Sequence, residues 1–302
     1  MSWLVVGGNG QLGRALSVVL AERGIEHLSW GSSELDIRSG SECAEKIGAV
    51  SPSVIINAAA WTDVDGAESD PDGAQAVNAV GPLNLATAAK TAGATFAHVS
   101  TDYVFSGMSD KPWQEDDLRA PVSVYGTTKA AGEVAVLSEY SESTYIFRTA
   151  WLYSPWGKNF AKTMTRLALT INGEVKVVDD QVGQPTSALD LANQIVDTVL
   201  AKLPFGIYHG TNSGQGSWFD FAREIFTLCG PGVDAERVVK TDSSSFVRPA
   251  KRPAYSVLGH DAWDLVGMSG SVVSPMREWR VALREVMPAI LETVKMETRV
   301  VS

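Results

Sequence analysis

Sulfur is scarce in this sequence: Cys43 and Cys229 are its only 2 cysteines, far apart, with no C-x-x-C and no second sulfur nearby. That excludes a disulfide framework and suits buried or incidental thiols in a reducing compartment. The 4 histidines, His27, His98, His209 and His260, lack metal-ligand spacing and read as structural residues, so no metal is expected. Positive charge is also short, with 25 Lys and Arg against 35 Asp and Glu and a net charge of −10. Sequence-independent binding to nucleic acid or to an anionic membrane is therefore not expected, and a phosphorylated ligand must find local cations or helix N-termini. No apolar run approaches the length of a membrane span. Glycines of a loop begin at residue 7, which leaves no room for a signal peptide, and a cytoplasmic location is expected. There is no repeat, coiled coil or low-complexity tail.

A chain of 302 residues, 45% hydrophobic and 20% charged, is long enough for one large α/β domain with a smaller lobe, or for two domains. Short apolar runs at 3–7, 27–30, 54–58, 96–101 and 145–149 alternate with helical patterns at 11–23, 41–50, 71–92 and 122–140. That alternation predicts a Rossmann-type α/β fold, a doubly wound parallel sheet with a crevice at the carboxyl ends of its strands. Beyond residue 150 the order is less regular, with helices expected at 158–171, 187–202, 217–229 and 275–286 and strands at 175–179 and 207–211. The stripe Trp218, Phe221, Ala222, Ile225 and Phe226 on one of these helices reads as core.

Two patterns point to chemistry. Trp3-Leu-Val-Val6 leads into Gly7-Gly-Asn-Gly10-Gln-Leu-Gly13 and then a helical pattern. Gly7 permits a tight turn, Gly10 lets backbone approach a pyrophosphate, and Gly13 lets helix pack close on strand. The helix N-terminus then offers unpaired N–H groups to the phosphates. An ordinary strand-to-helix turn uses the same glycines, so the wider context decides. It contains Tyr125 and Lys129, four apart and on one helical face, behind a strand that ends in Thr101. A neighbouring ammonium stabilises a phenolate and brings the phenol toward working pH, and Thr101 adds a hydroxyl, so these are parts for handling a proton on a carbonyl or alcohol oxygen. The expected division is a dinucleotide-binding domain over 1–150, with about 175–202 added back, and a smaller C-terminal substrate-binding lobe over 151–174 and 203–302.

The chain resembles the extended short-chain dehydrogenases/reductases and, within them, the dTDP-4-dehydrorhamnose reductase family. The resemblance runs through Gly10-Gln-Leu-Gly13, Asn57-Ala-Ala-Ala-Trp-Thr-Asp-Val-Asp-Gly-Ala-Glu68, Val77-Asn-Ala79, Ser100-Thr-Asp-Tyr-Val-Phe105, Tyr125-Gly-x-x-Lys129, Arg148-Thr-Ala-Trp151, Asn159-Phe160, Gly183-Gln-Pro-Thr186 and Arg252-Pro-x-x-Ser256. It implies hydride transfer from a reduced nicotinamide to C4 of a 4-keto-6-deoxy sugar on dTDP, giving dTDP-L-rhamnose. Tyr125 would protonate the oxygen, Thr101 would hydrogen-bond it, and Lys129 would lower the Tyr125 pKa and hold the nicotinamide ribose.

The cofactor positions so implied are Gly7, Gly10, Gln11, Leu12, Gly13, Arg14, Ser32, Asp36, Ile37, Asn57, Ala58, Ala59 and Ala60, with Tyr125 and Lys129. Asn57 to Ala60 also reads as a tight strand exit. Those implied around the sugar nucleotide are Thr62, Val64, Thr101, Asp102, Phe105, Trp151, Asn159 and Arg252, whose apolar and aromatic members are equally placed to be packing residues. The Arg252 fork suits a pyrophosphate, a carboxylate partner or a surface salt bridge.

Two departures from the family pattern matter. The acidic residue that would hold the adenine ribose of NAD is absent from Leu28-Ser-Trp-Gly-Ser-Ser33, so NADPH is expected, bound by Arg14, Ser32 or Ser33, with NADH tolerated. Glutamates that hold a bridging magnesium in some members are replaced by Ala15 and Leu189, so the expectation is a monomer, or a dimer without bridging metal. A reductase of another keto-sugar nucleotide and a non-catalytic regulatory subunit remain the competing readings, the second opposed by intact Thr101, Tyr125 and Lys129.

Overall fold

Strands apolar on both faces pair in parallel and are covered by helices on both sides. The computed structural model describes residues 2–268 and 273–301. The chain runs through β1 (Trp3–Val6), α1 (Gln11–Glu22), β2 (His27–Trp30), α2 (Gly40–Val50), β3 (Val54–Asn57), α3 (Val64–Ser69), α4 (Pro71–Gln75), α5 (Gly81–Ala92), β4 (Thr95–Thr101), α6 (Val124–Tyr140) and β5 (Thr144–Thr149). It continues through β6 (Leu152–Tyr153), α7 (Phe160–Thr170), β7 (Val175–Val178), β8 (Val182–Gly183), β9 (Thr186–Ser187), α8 (Ala188–Leu200), β10 (Gly206–His209), β11 (Asn212–Ser213) and β12 (Gly216–Ser217). The last elements are α9 (Trp218–Leu228), β13 (Val238–Thr241), α10 (Asp261–Met268), β14 (Met276–Glu278) and α11 (Trp279–Val301).

The main sheet has 6 parallel strands in the order β10-β5-β4-β3-β1-β2. Strand order reverses between β1 and β3, which opens a crevice at their carboxyl ends. Leu16, Val19 and Leu20 of α1, Leu191 and Ile195 of α8 and Trp263 of α10 cover one face. Ile47 of α2, Leu85 and Ala89 of α5 and Val136 of α6 cover the other. A second core joins α7, β7, α9, β13 and α11 through Met164, Val177, Phe221, Val238 and Leu283.

The structure differs from the sequence reading at three places. β10 belongs to the main sheet, although 203–302 was assigned to the smaller lobe, while β7 pairs with β13 outside it, although 175–202 was joined to the first domain. The predicted helix 71–92 is split: a π turn, Ala76–Val80, lies between α4 and α5. It turns Asn78 inward, where its Oδ1 accepts from Trp61 N at 2.9 Å and its Nδ2 donates to Thr128 Oγ1 at 3.2 Å. The last helix starts at Trp279 and runs past Pro288, because Ile290 and Val294 pack into the second core and outweigh the local cost of the proline.

Asn78 also explains a glycine. A Cβ on Gly132 of α6 would lie 2.2 Å from the Asn78 carbonyl oxygen, so helix and π turn meet without a side chain between them. Gly132→Ala is expected to force them apart and lower stability by about 1–3 kcal/mol, the usual range for overpacking. A urea unfolding curve checks this, and an unchanged midpoint would mean that the π turn yields freely.

Candidate active site

The crevice holds a cavity of about 970 Å³ that extends from the glycine loop to the carboxyl end of β4 and the start of α6. Its floor is made by the β1 and β3 exits, where Ala58 N donates to Val6 O at 2.8 Å. Gly7 has φ +85 there, and a Cβ would sit 2.5 Å from Ala59 N, so only glycine allows this approach. Gly10 caps α1 with no side-chain hydrogen bond, and Gln11 and Leu12 line the cavity behind it. A helix N-terminus open to a cavity, with backbone able to come close, is a cradle for a pyrophosphate. Gly13 lies outside the lining because it packs against Gly7 O, which a Cβ would approach to 2.3 Å. Arg14 is exposed and donates to Asn9 O at 3.2 Å.

Ser32, Asp36 and Ile37 line the far end, as do Gly31 and Arg38, which the sequence reading did not single out. Arg38 grips Asp36 through bonds of 2.8 Å from Nε and Nη2. Glu34 is turned onto Gly31 N and the Ser33 hydroxyl, both at 2.8 Å. Ala58, Ala59, Ala60, Thr62 and Val64 continue the lining along the β3 exit. Asn57 does not reach it: buried, it accepts from Ala59 N at 3.0 Å and meets His98 Nδ1 at 3.1 Å.

Ser123 caps α6 by accepting from Gly126 N at 3.2 Å, which places Tyr125 in the first turn and Lys129 one turn later, both on the cavity. Thr101 and Asp102 leave β4 opposite them. The Tyr125 hydroxyl is within hydrogen-bonding reach of Thr101, whose own hydroxyl donates to Asp102 Oδ1 at 2.9 Å. Burial pushes the Tyr125 phenol up to about 12, opposed by the Thr101 hydrogen bond and assisted by the Asp102 charge. Lys129 Nζ donates to Val99 O at 2.6 Å, and burial brings its ammonium down to about 8, with Glu133 opposing the fall. The sequence reading had Lys129 drawing the phenol toward working pH; in this structure desolvation governs Tyr125 and keeps its proton in place.

The smaller lobe supplies the outer wall. Trp151, at φ 46, stacks on Trp218 with centroids 3.6 Å apart, and both line the cavity. Trp218 heads the stripe read as core; Phe221, Ala222, Ile225 and Phe226 are buried, but the cap at Ser217 turns Trp218 toward the cavity. Tyr103, Gly157 and Lys158 also line the cavity and were missed. Asn159 caps α7 and donates to Gln11 Oε1 at 2.8 Å, while Ser154 Oγ donates to the same oxygen at 2.9 Å, tying this lobe to the α1 N-terminus. Phe105 lies outside the lining, stacked on Trp113 at 4.8 Å beneath the Arg148 guanidinium. Arg252 is also outside it, with Nη1 and Nη2 on the Asp65 carboxylate at 2.6 and 2.9 Å.

Comparison with known proteins agrees with this geometry. A family model described as the RmlD substrate binding domain matches residues 1–291. The chain is 45% identical over 292 residues, 95% of its length and 93% of the relative's, to a dTDP-4-dehydrorhamnose reductase of Streptomyces griseus. It is 41% identical to a probable dTDP-4,6-dihydroxy-2-methyloxan-3-one 4-ketoreductase of Streptomyces antibioticus, covering 99% of each chain. The crystal structure of a Bacillus anthracis dTDP-4-dehydrorhamnose reductase in complex with NADP superposes with a TM-score of 0.89 at 35% identity, covering 95% of this chain and 98% of that one.

Asp102 carries a stability cost. It is 2% exposed, and burial pushes its carboxyl from 3.8 up to about 6 against the opposing hydrogen bonds of Ser256 and Thr101. The unfolded chain releases this proton first, so stability falls as pH rises through that window and the cost is complete above it. Asp102→Asn is expected to be more stable than wild type at neutral pH, by about 2 kcal/mol, and no more stable below the window. Urea midpoints across pH check this; equal midpoints at neutral pH would show that Asp102 is solvated.

Proposed function

The chain belongs to the RmlD family of dTDP-4-dehydrorhamnose reductases, and on that premise we propose that it reduces the C4 keto group of dTDP-4-dehydro-L-rhamnose with NAD(P)H to give dTDP-L-rhamnose. The observation that carries the mechanism is the placing of Tyr125, Thr101 and Lys129 around one end of a cavity whose other end is a phosphate cradle. The uncapped α1 N-terminus and the close backbone approach at Gly7 fit a dinucleotide. When bound, the nicotinamide supplies the hydride. Lys129 holds its ribose and Trp151 and Trp218 enclose the sugar. Thr101 fixes the carbonyl oxygen and Tyr125 donates its proton there. A phenol near 12 stays protonated at neutral pH, which suits a donor in the reducing direction. The site acts in the cytoplasm and needs no divalent metal: Ala15 is buried against the sheet and Leu189 packs on the same core, and neither offers an oxygen.

NADPH is the preferred form. Glu34 is bonded back to Gly31 N and Ser33, and Asp36, the acidic side chain on this part of the lining, is paired with Arg38, so no uncompensated carboxylate faces the cavity here and Ser32 and Arg38 would be the groups to meet a 2′-phosphate. The Streptomyces antibioticus relative bears the name of a different sugar, so the product must be identified as well as the turnover. NADPH oxidation with dTDP-4-dehydro-L-rhamnose, followed by stereochemical analysis of the product, tests the assignment. No turnover would favour a regulatory homologue, and another epimer would reassign the substrate.

Tyr125→Phe keeps the ring packing and removes the donor, so kcat should fall by at least about 10² with little change in cofactor affinity. Near-normal turnover in a folded variant would remove Tyr125 from the mechanism. Wild-type kcat/KM for NADPH should at least equal that for NADH, and Ser32→Asp should move the ratio toward NADH by about tenfold or more, through repulsion of the 2′-phosphate. A strong wild-type preference for NADH would refute this cofactor assignment.

A further inference from the structure

We propose that Glu133, outside the cavity, is a positioning residue: through its cluster with Ser100, Arg148 and Arg119 it fixes the end of β4 and sets the charge state of Lys129. This rests on the reading of Lys129 as the group that holds the cofactor ribose. Tyr125, Lys129 and Glu133 are four residues apart and occupy successive turns of one face of α6. That face is bonded to three consecutive residues of β4. Tyr125 reaches the Thr101 hydroxyl, Lys129 Nζ donates to Val99 O at 2.6 Å, and Ser100 Oγ donates to Glu133 Oε1 at 2.5 Å. The contact that assembles the proton donor is thus one of three, and Glu133 anchors the third.

Glu133 is 0% exposed and Arg148 1%. Arg148 forks onto the carboxylate, with Nε at 3.0 Å from Oε1 and Nη2 at 2.9 Å from Oε2, and Arg119 Nη1 adds a bond to Oε2 at 3.0 Å. Burial opposes the Glu133 charge, but these bonds and that from Ser100 hold it below the usual carboxylate range. A buried ion cluster is weak support for stability, since apolar replacements often do as well. Its placing one turn from a buried ammonium gives it another consequence. Titratable groups on the elements packed against α6 include Tyr125 and Glu133 of α6 itself, His98 of β4, Asp102 and Tyr103 just after it, Arg148 of β5, Arg119 ahead of α6, and Glu68 of α3, which accepts from Val124 N at 2.9 Å. His98 is held neutral by burial and Tyr103 and Tyr125 keep their protons. The charge that bears on Lys129 is that of Glu133, and Arg148 and Arg119 act on it through their bonds to that carboxylate. Removing the Glu133 charge leaves two guanidiniums uncompensated; removing that of Arg119 leaves the carboxylate paired with Arg148 alone, a change of opposite sign.

The test is the pH dependence of the NADPH dissociation constant, read by fluorescence titration of wild type, Glu133→Gln and Arg119→Gln, with circular dichroism as the fold control. Wild type should lose affinity as Lys129 deprotonates. The midpoint of that loss should move to lower pH in Glu133→Gln by about one unit, and to higher pH in Arg119→Gln by about half a unit. Damage to the fold would not move the two in opposite directions. If Glu133→Gln does not fold, the upward shift in Arg119→Gln, a partly exposed position, carries the test. Equal midpoints, shifts in one direction, or no pH dependence in wild type would overturn the proposal. Wild type that shows the profile but does not turn over the keto-sugar would refute the substrate assignment alone and leave the Glu133 role standing.

Discussion

The site depends on how closely α6 lies against the end of the sheet. Bare backbone contact sets its height at two places: a Cβ on Gly126 would lie 2.2 Å from Tyr103 O, just past the end of β4, and one on Gly132 2.2 Å from Asn78 O on the π turn. Such backbone contact leaves little freedom in the height of the helix above the crevice. Tyr125 and Lys129 therefore reach β4 at fixed positions, and a shift of one ångström would break the Lys129 bond to Val99 O and the approach to Thr101. The π turn serves the same contact from the other side, because its Asn78 binds the backbone of Trp61 and the hydroxyl of Thr128 together.

Charge is arranged on a different principle. The chain is acidic, and Arg38, Arg148 and Arg252 each grip a carboxylate of the protein. The groups on the cavity left without such a partner are the backbone N–H groups at the α1 N-terminus, which has no side-chain cap, and Lys158, which forms no ion pair among the described residues. Inside, the same desolvation that lowers Lys129 to about 8 raises Tyr125 to about 12. The phenol thus keeps its proton at neutral pH, as the proposed donor role requires.

How much of this was legible in the sequence differs by kind of signal. Local patterns that repeat with the element period could be read: the buried strands, the glycine loop, and the Tyr125 and Lys129 spacing all predict positions the structure brings to one cavity. The long-range partners could not. Nothing near Arg252 announces Asp65, nothing near Phe105 announces the Arg148 guanidinium above it, and an inserted π turn preserves helical composition while rotating Asn78 inward. Trp218 was hidden because it shares a helical stripe with true core residues, although Ser217 ahead of it is a capping signal that marks it as the first residue of its helix. The placing of β10 and β7 was missed because a short apolar run states that a strand exists and not which sheet it joins.

The division of labour between the lobes explains how one family can reduce several related sugars. Every group proposed to handle the proton comes from β4 and α6, and is held by bonds within the main sheet layer. The wall formed by Trp151 and Trp218 comes from the other lobe, and it is built under strain. Trp151 occupies the left-handed region at φ 46, where a bulky side chain is unfavourable, and a Cβ on Gly183 would lie 2.7 Å from its indole. The stack on Trp218 and the missing Cβ at Gly183 together hold that conformation. Changing any of these three positions would reshape this cavity wall without touching Tyr125, so under the proposed mechanism the wall can vary while the proton chemistry stays fixed. The Gln11 bonds to Ser154 and Asn159 keep the two parts in register, because they join this wall to the N-terminus of α1, which opens on the same cavity.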